Sequence, residues 1–109
     1  MSEPIAVTTL VVRRPGEPPV NIEFSIGTPK RISTDEWSCP VSLQPLYKRL
    51  TDAHGGTAVQ SLCLAMSLGL ELLHGVVEDG GSVAMVGGDP FPFDAYSFGV
   101  ASRHGSGDD

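Results

Sequence analysis

Thr57-Ala58-Val59-Gln60-Ser61-Leu62-Cys63-Leu64-Ala65-Met66-Ser67-Leu68-Gly69-Leu70-Glu71-Leu72-Leu73-His74-Gly75-Val76-Val77 carries the strongest structural signal in the chain. It holds no proline, and Leu, Ala, Met and Gln, all good helix formers, dominate it. Thr57 followed three residues later by Gln60 matches the capping box, in which each side chain satisfies an orphan amide at the start of a helix. Gly55-Gly56 breaks the chain just before it. The spacing therefore predicts one continuous helix over 57–77. At about 100° per residue, Gln60, Ser67, Glu71, His74 and Glu78 fall on one narrow polar stripe, with Leu64 among them. The rest of the circumference is apolar over roughly 220°, whereas a surface helix needs little more than about 100°. Such a helix asks for more cover than one small sheet gives.

Upstream, the period changes from helical to alternating. Residues 5–12, Ile-Ala-Val-Thr-Thr-Leu-Val-Val, are rich in the β-branched types that suit a pleated surface. Val20, Ile22, Phe24 and Ile26 alternate with Asn21, Glu23 and Ser25, which puts one face in a core and the other in water. Residues 14–19, Arg-Pro-Gly-Glu-Pro-Pro, form the loop between them, and a short link between adjacent strands implies an antiparallel hairpin. Trp37, Cys39, Val41 and Leu43 alternate in a third run. Pro40 within it marks an edge strand or a bulge. Downstream of the helix, Ser82-Val83-Ala84-Met85-Val86 reads as a short fourth strand, and the prolines of Asp89-Pro90-Phe91-Pro92-Phe93-Asp94 make that segment irregular.

Composition narrows the class. The chain has 109 residues, 40% apolar, and no internal repeat. Area scaling lets a chain of that length bury about 65% of its surface, enough for a core without metals or disulfides. Seven Lys+Arg against 13 Asp+Glu leave a net charge of −6, which argues against nucleic acid as a partner. The charge is also segregated. Residues 51–109 hold only Arg103 against eight acids. The other six cations form the doublets Arg13-Arg14, Lys30-Arg31 and Lys48-Arg49, each at the end of a segment, where they either ring one end of a sheet or sit in solvated turns. Cys39 and Cys63 are too few for a disulfide framework and read as buried thiols of a reducing compartment. Met1-Ser2-Glu3-Pro4 lacks the apolar core of a signal peptide, and no unbroken run of 18 apolar residues is present, so a cytoplasmic protein with no membrane span is expected.

The order of these pieces resembles a family of small bacterial domains of uncharacterised function. The likeness covers roughly residues 5–93. It rests on the hairpin, Trp37-Ser38-Cys39-Pro40, the Gly-rich step, Ala58-Val59-Gln60-Ser61-Leu62-Cys63-Leu64-Ala65, and the closing Gly88-Asp89-Pro90-Phe91-Pro92. The resemblance implies the element order and brings no activity, cofactor or catalytic residue.

Three groups of residues invite a chemical reading. Ala65-Met66-Ser67-Leu68-Gly69 echoes the spacing of a nucleophile elbow, but that motif needs a strained strand-to-helix turn and Ser67 lies inside a helix. Ala65 and Gly69 instead fall in the apolar arc, where small residues let a sheet or another helix come close. Glu71, His74 and Glu78 can meet on one helix face, and Glu-x-x-His is half of a di-iron carboxylate set whose bridging carboxylates are missing here. Asp52 and His54 make a possible acid–base dyad with no nucleophile near in sequence. No Cys-x-x-Cys, Walker A or His-Glu-x-x-His pattern occurs.

The reading that results is an α+β fold, a three- to four-stranded antiparallel meander packed against one long helix, forming a single domain over 1–98 with a disordered tail over 99–109. Function is expected to be that of a non-catalytic, acidic protein-binding module, of an immunity or regulatory kind, masking a basic partner. Catalytic residues, cofactor and metal are expected to be none. The candidate partner-binding residues are Phe91, Phe93, Asp89 and Asp94, two aromatics on a proline-stiffened loop between two acids. The alternatives are a small enzyme or small-molecule binder using Asp52/His54 or the Glu71/His74 stripe, and a structural homodimer. The uncovered helix flank, with Leu68 and Leu72 on one side and Val59, Cys63 and Leu70 on the other, predicts a two-fold homodimer.

Overall fold

The computed structural model describes residues 4–47 and 50–96. The α+β architecture is present: antiparallel sheets of four and three strands pack against one long helix. The chain runs β1 (Ala6–Arg13), β2 (Val20–Ile26), β3 (Lys30–Ser33), β4 (Glu36–Cys39), β5 (Val41–Gln44), β6 (Ala53–Gly55), α1 (Ala58–Glu78), β7 (Ser82–Met85) and a short α2 (Phe93–Tyr96). The first sheet has the order β5-β2-β1-β7 and the second β3-β4-β6. The expected tail lies outside the described residues.

The β1–β2 hairpin pairs Leu10 with Ile22 and Thr8 with Phe24, so the apolar sets of both strands share one face. Glu23, Asn21, Thr9 and Gln44 on the opposite face are exposed. β7 adds to β1 through Val12↔Val83, and β5 to β2 through Phe24↔Leu43. Pro40 proves to be a corner. β2 continues past Gly27 into β3, and β4 continues past Pro40 into β5, so one long antiparallel ribbon serves both sheets. The Gly27 N–H donates to the Pro40 carbonyl at 2.9 Å. A Cβ on Gly27 would stand 2.9 Å from the proline ring, so only glycine fits there. The register slips by one residue between Ile26↔Val41 and Lys30↔Ser38.

α1 begins and ends on complete caps. Thr57 Oγ1 accepts from the Gln60 N–H at 3.0 Å, while Gln60 Oε1 accepts from the N–H of Gly56, one residue earlier than a capping box requires. At the far end, Gly80, with φ +95°, donates to the Val77 carbonyl and Gly81 to that of Val76. That is a Schellman closure, and glycine supplies the left-handed residue it needs. The helix buries Ser61, Ala65, Gly69, Leu70, Leu73 and Val76. It does not break at Gly69, where a Cβ would lie 2.5 Å from the Phe24 ring. The absent side chain is what lets helix and sheet touch. Leu10, Ile22, Leu43 and Leu73 are completely buried at this contact. By length and composition α1 also qualifies as a membrane-spanning helix, but its Ala65–Gly69–Leu73 row closes the core of this domain.

The segment after β7 folds back along that strand. Met85 donates to the Asp89 carbonyl and Phe91 to that of Val83, with Ala84 bridging Pro90. This return covers the outer edge of β7 with a proline, which blunts an otherwise open strand edge.

Candidate functional site

The residues expected to do chemistry are not assembled into one place. His54 lies in β6, opposite Ser38 of β4. Its Nδ1 meets the carboxylate Oε2 of Glu36 at 2.7 Å, with both side chains about half exposed. The histidine therefore takes its carboxylate from the start of β4 and not from Asp52, two residues away in sequence. Sequence reasoning missed Glu36 because the pairing depends on the β4–β6 register, and β6 is a three-residue strand with no β-branched residue to announce it. Alternation brings Glu36 and Ser38 to one face with His54. Ser38 is nevertheless buried and makes no hydrogen bond to the imidazole, so the trio lacks the nucleophile–base contact that acyl transfer requires.

Asp52 acts elsewhere. The thiol of Cys39 is pushed above its ordinary value of 9.0, first by burial and second by the negative charge of Asp52. That thiol donates to the Gly27 carbonyl at 3.4 Å, inside the corner between the sheets. Cys63, expected to be buried, is exposed on α1. At about 100° per residue its position lies well outside the row of side chains that meets the sheet.

Glu71, His74 and Glu78 are exposed on α1, as the polar stripe requires. The imidazole of His74 stacks on Phe93 with ring centroids 4.0 Å apart, so its visible role is to receive the returning C-terminal segment. Among the described residues no group of three or more His, Cys, Asp or Glu side chains is close enough to hold a metal ion. The loop residues Phe91, Phe93, Asp89 and Asp94 divide. Phe91 is buried at 4% exposure, edge-on to Phe93 at 4.8 Å and 4.4 Å from the Tyr96 ring, which removes it as a surface anchor. Phe93 is half-buried, and Asp89 and Asp94 are exposed. The loop caps the core with its first aromatic and presents the rest.

No family model, curated protein or solved structure matches the chain. Its function has to be argued from its own surface.

Two features of that surface stand out. The first is a charge partition. Residues 50–96 contain six acids and no lysine or arginine, and they build the whole helix layer together with β6 and β7. On α1 and at its C-cap, Glu71, Glu78 and Asp79 are exposed, and the same helix exposes three apolar side chains: Val59 at 69%, Leu64 at 42% and Val77 at 41%. The second is a set of adjoining clefts around the β1–β2 loop, of about 340, 430 and 270 Å³, all lined by Arg14 and Glu17. The largest lies between that loop and the last turns of α1, beside Tyr47. The cation doublets do not ring one end of a sheet. Arg13 closes β1 at the loop end of the hairpin, whereas Lys30 and Arg31 lie in β3, beyond the opposite end of β2. Lys48-Arg49 falls outside the described residues.

Proposed function

We propose that the protein is a non-catalytic binding module that receives a basic protein partner on its helix layer, as a small immunity or regulatory protein masking a basic surface does. The observation that supports this reading is the acid-only helix layer, whose helix also exposes apolar side chains. Carboxylates spread along one face steer a cationic partner and fix its orientation, while the exposed Val59, Leu64 and Val77 supply apolar area to bury. The two unpaired thiols fit a reducing, cytoplasmic setting.

The test is capture from the native host's lysate on the immobilised protein. Capture of a basic protein is expected, lost on Leu64→Glu and on the pair Glu71→Lys with Glu78→Lys. The pair Glu23→Lys with Asp35→Lys changes net charge equally on the exposed face of the ribbon, away from the helix layer, and is expected to leave capture intact. Equal loss with both pairs would mean that net charge and not the helix face does the binding, and would end this reading.

A second reading, the two-fold homodimer, draws on the same exposed apolar residues. The described chain covers part of the flank that motivated it: Leu70 is buried and Leu68 and Leu72 half-buried within one molecule. What remains is Val59, Cys63 and Leu64 near the start of α1. Light scattering at micromolar concentration separates the two, since a dimer has twice the 11.5 kDa chain mass.

A further inference from the structure

We propose that the cleft of about 430 Å³ between the β1–β2 loop and the end of α1 is a socket for an arginine side chain of the basic partner. This deepens the function proposed above and rests on it. Two glycines lie inside α1. Gly69 is required by Phe24, but a Cβ on Gly75 would meet nothing within 4 Å. Glycine inside a helix costs about 1 kcal/mol relative to alanine, and packing among the described residues gives no reason for that cost at position 75. Gly75 lines the cleft, and its missing side chain deepens a floor otherwise made by Leu72 and Val76.

Around this apolar floor stand groups suited to a planar cation. Among the described residues, Glu17, Glu71 and Asp79 place three carboxylates on the lining against one cation, Arg14. None of the three carboxylates has an ion pair or hydrogen bond within the described structure, so they are free to accept one. Tyr47 adds an aromatic surface, on which guanidinium groups stack. An arginine inserted here lays its methylene stem over Leu72, Gly75 and Val76 and brings its fork of donors to the carboxylates. Arginines seated in pockets are among the residues that most often dominate an interface.

The probe is N-acetyl-L-arginine N-methylamide, which carries one positive charge, observed by amide chemical shifts of the labelled full chain. Saturable shifts at Glu71, Gly75, Val76 and Asp79 are expected in the millimolar range, as befits so small a ligand. The capped citrulline, equal in shape and neutral, is expected to give none. Gly75→Leu fills the cleft with a better helix former and is expected to abolish the shifts while the remaining spectrum stays native. Glu71→Gln with Asp79→Asn keeps the shape and is expected to weaken binding at least about tenfold, for two lost charge-assisted bonds. Absence of shifts in the wild type, equal shifts with citrulline, or shifts that survive Gly75→Leu would overturn the socket. Lysate capture that still depends on the α1 acids would then leave the broader reading standing, and capture that fails while arginine binds would remove that reading instead.

Discussion

Cys39 and Cys63 occupy opposite extremes of one small molecule. Cys39 is completely buried, its thiol turned to the Gly27 carbonyl, and burial plus the charge of Asp52 hold the proton on sulfur. Cys63 stands in solvent. A disulfide-exchange reagent at neutral pH is expected to label one thiol quickly, and Cys63→Ser is expected to remove that fast phase entirely. The raised value of Cys39 also sets a sign for pH. Below the ordinary thiol range both the folded and the unfolded chain keep the proton, and Cys39 adds no pH dependence. As pH rises the unfolded chain loses its proton first, so stability falls until the folded thiol titrates too. Denaturant midpoints measured from about pH 7 to about pH 10 are expected to drop more steeply for the wild type than for Cys39→Val, which spans the usual thiol titration. A parallel pair of curves would mean that the thiol carries no linkage. Phe91 and Phe93 differ in the same way. Truncating buried Phe91 to alanine is expected to cost about 3–5 kcal/mol. Phe93→Ala loses mainly its stacking on His74 and Phe91, about 1 kcal/mol, and urea denaturation distinguishes the two.

Elements show where the sequence speaks and where it is silent. Helix α1 was legible because cap, composition and periodicity agree: Thr57 and Gln60 cap it, and every residue of the polar stripe is exposed. β1, β2 and β7 were legible from β-branched runs and alternation. β3 and β6 were not, because Lys30-Arg31-Ile32-Ser33 and Ala53-His54-Gly55 carry no alternation and no concentration of β formers. Both exist through pairing with β4: β3 across the short turn between Ser33 and Glu36, which its side chains do not announce, and β6 across a separation that no local window contains. Pro40 was read as the mark of an edge strand or a bulge; β5 is an edge strand, and the proline also joins it to β4, since the corner is made jointly with Gly27 thirteen residues earlier. The candidate site suffered similarly: the Glu36–His54 pair depends on the register of β4 with β6, and the α1 clefts depend on where a proline-rich loop comes to rest. The two glycines inside α1 make the contrast measurable. Gly69→Ala drives a Cβ into the Phe24 ring and is expected to lower stability by about 1–3 kcal/mol. Gly75→Ala meets open space and is expected to raise it by about 1 kcal/mol. Thermal midpoints moving in opposite directions verify both the packing and the vacancy at the cleft floor; a loss at both positions would contradict the open floor.

At the scale of the whole molecule, the decisive property is that charge follows architecture. The hairpin ribbon carries the described cations, and the helix layer carries acids alone from residue 50 to residue 96. The described ribbon also carries Glu17, Glu23, Asp35 and Glu36 and so is balanced, whereas the acids of the helix layer are uncompensated. This makes salt a discriminating variable, because the two proposed occupants of the α1 face respond to it with opposite signs. A basic partner is held partly by attraction to Glu71, Glu78 and Asp79, and screening weakens that attraction. A second copy would bring the same acids toward their equals, and screening relieves that repulsion while the burial of Val59 and Leu64 is left intact. Raising ionic strength from about 0.1 M to about 1 M shortens the screening length from about 10 Å to about 3 Å, less than the spacing of exposed charges across an interface rim. Lysate capture and light scattering are therefore expected to diverge over that range: the captured basic protein is released as salt rises, while any self-associated fraction grows. The weaker binding is expected mainly as a slower association rate, since rim charges govern encounter more than residence. Retention that is unchanged or stronger in high salt would assign the α1 face to apolar self-association and take the basic partner away from it.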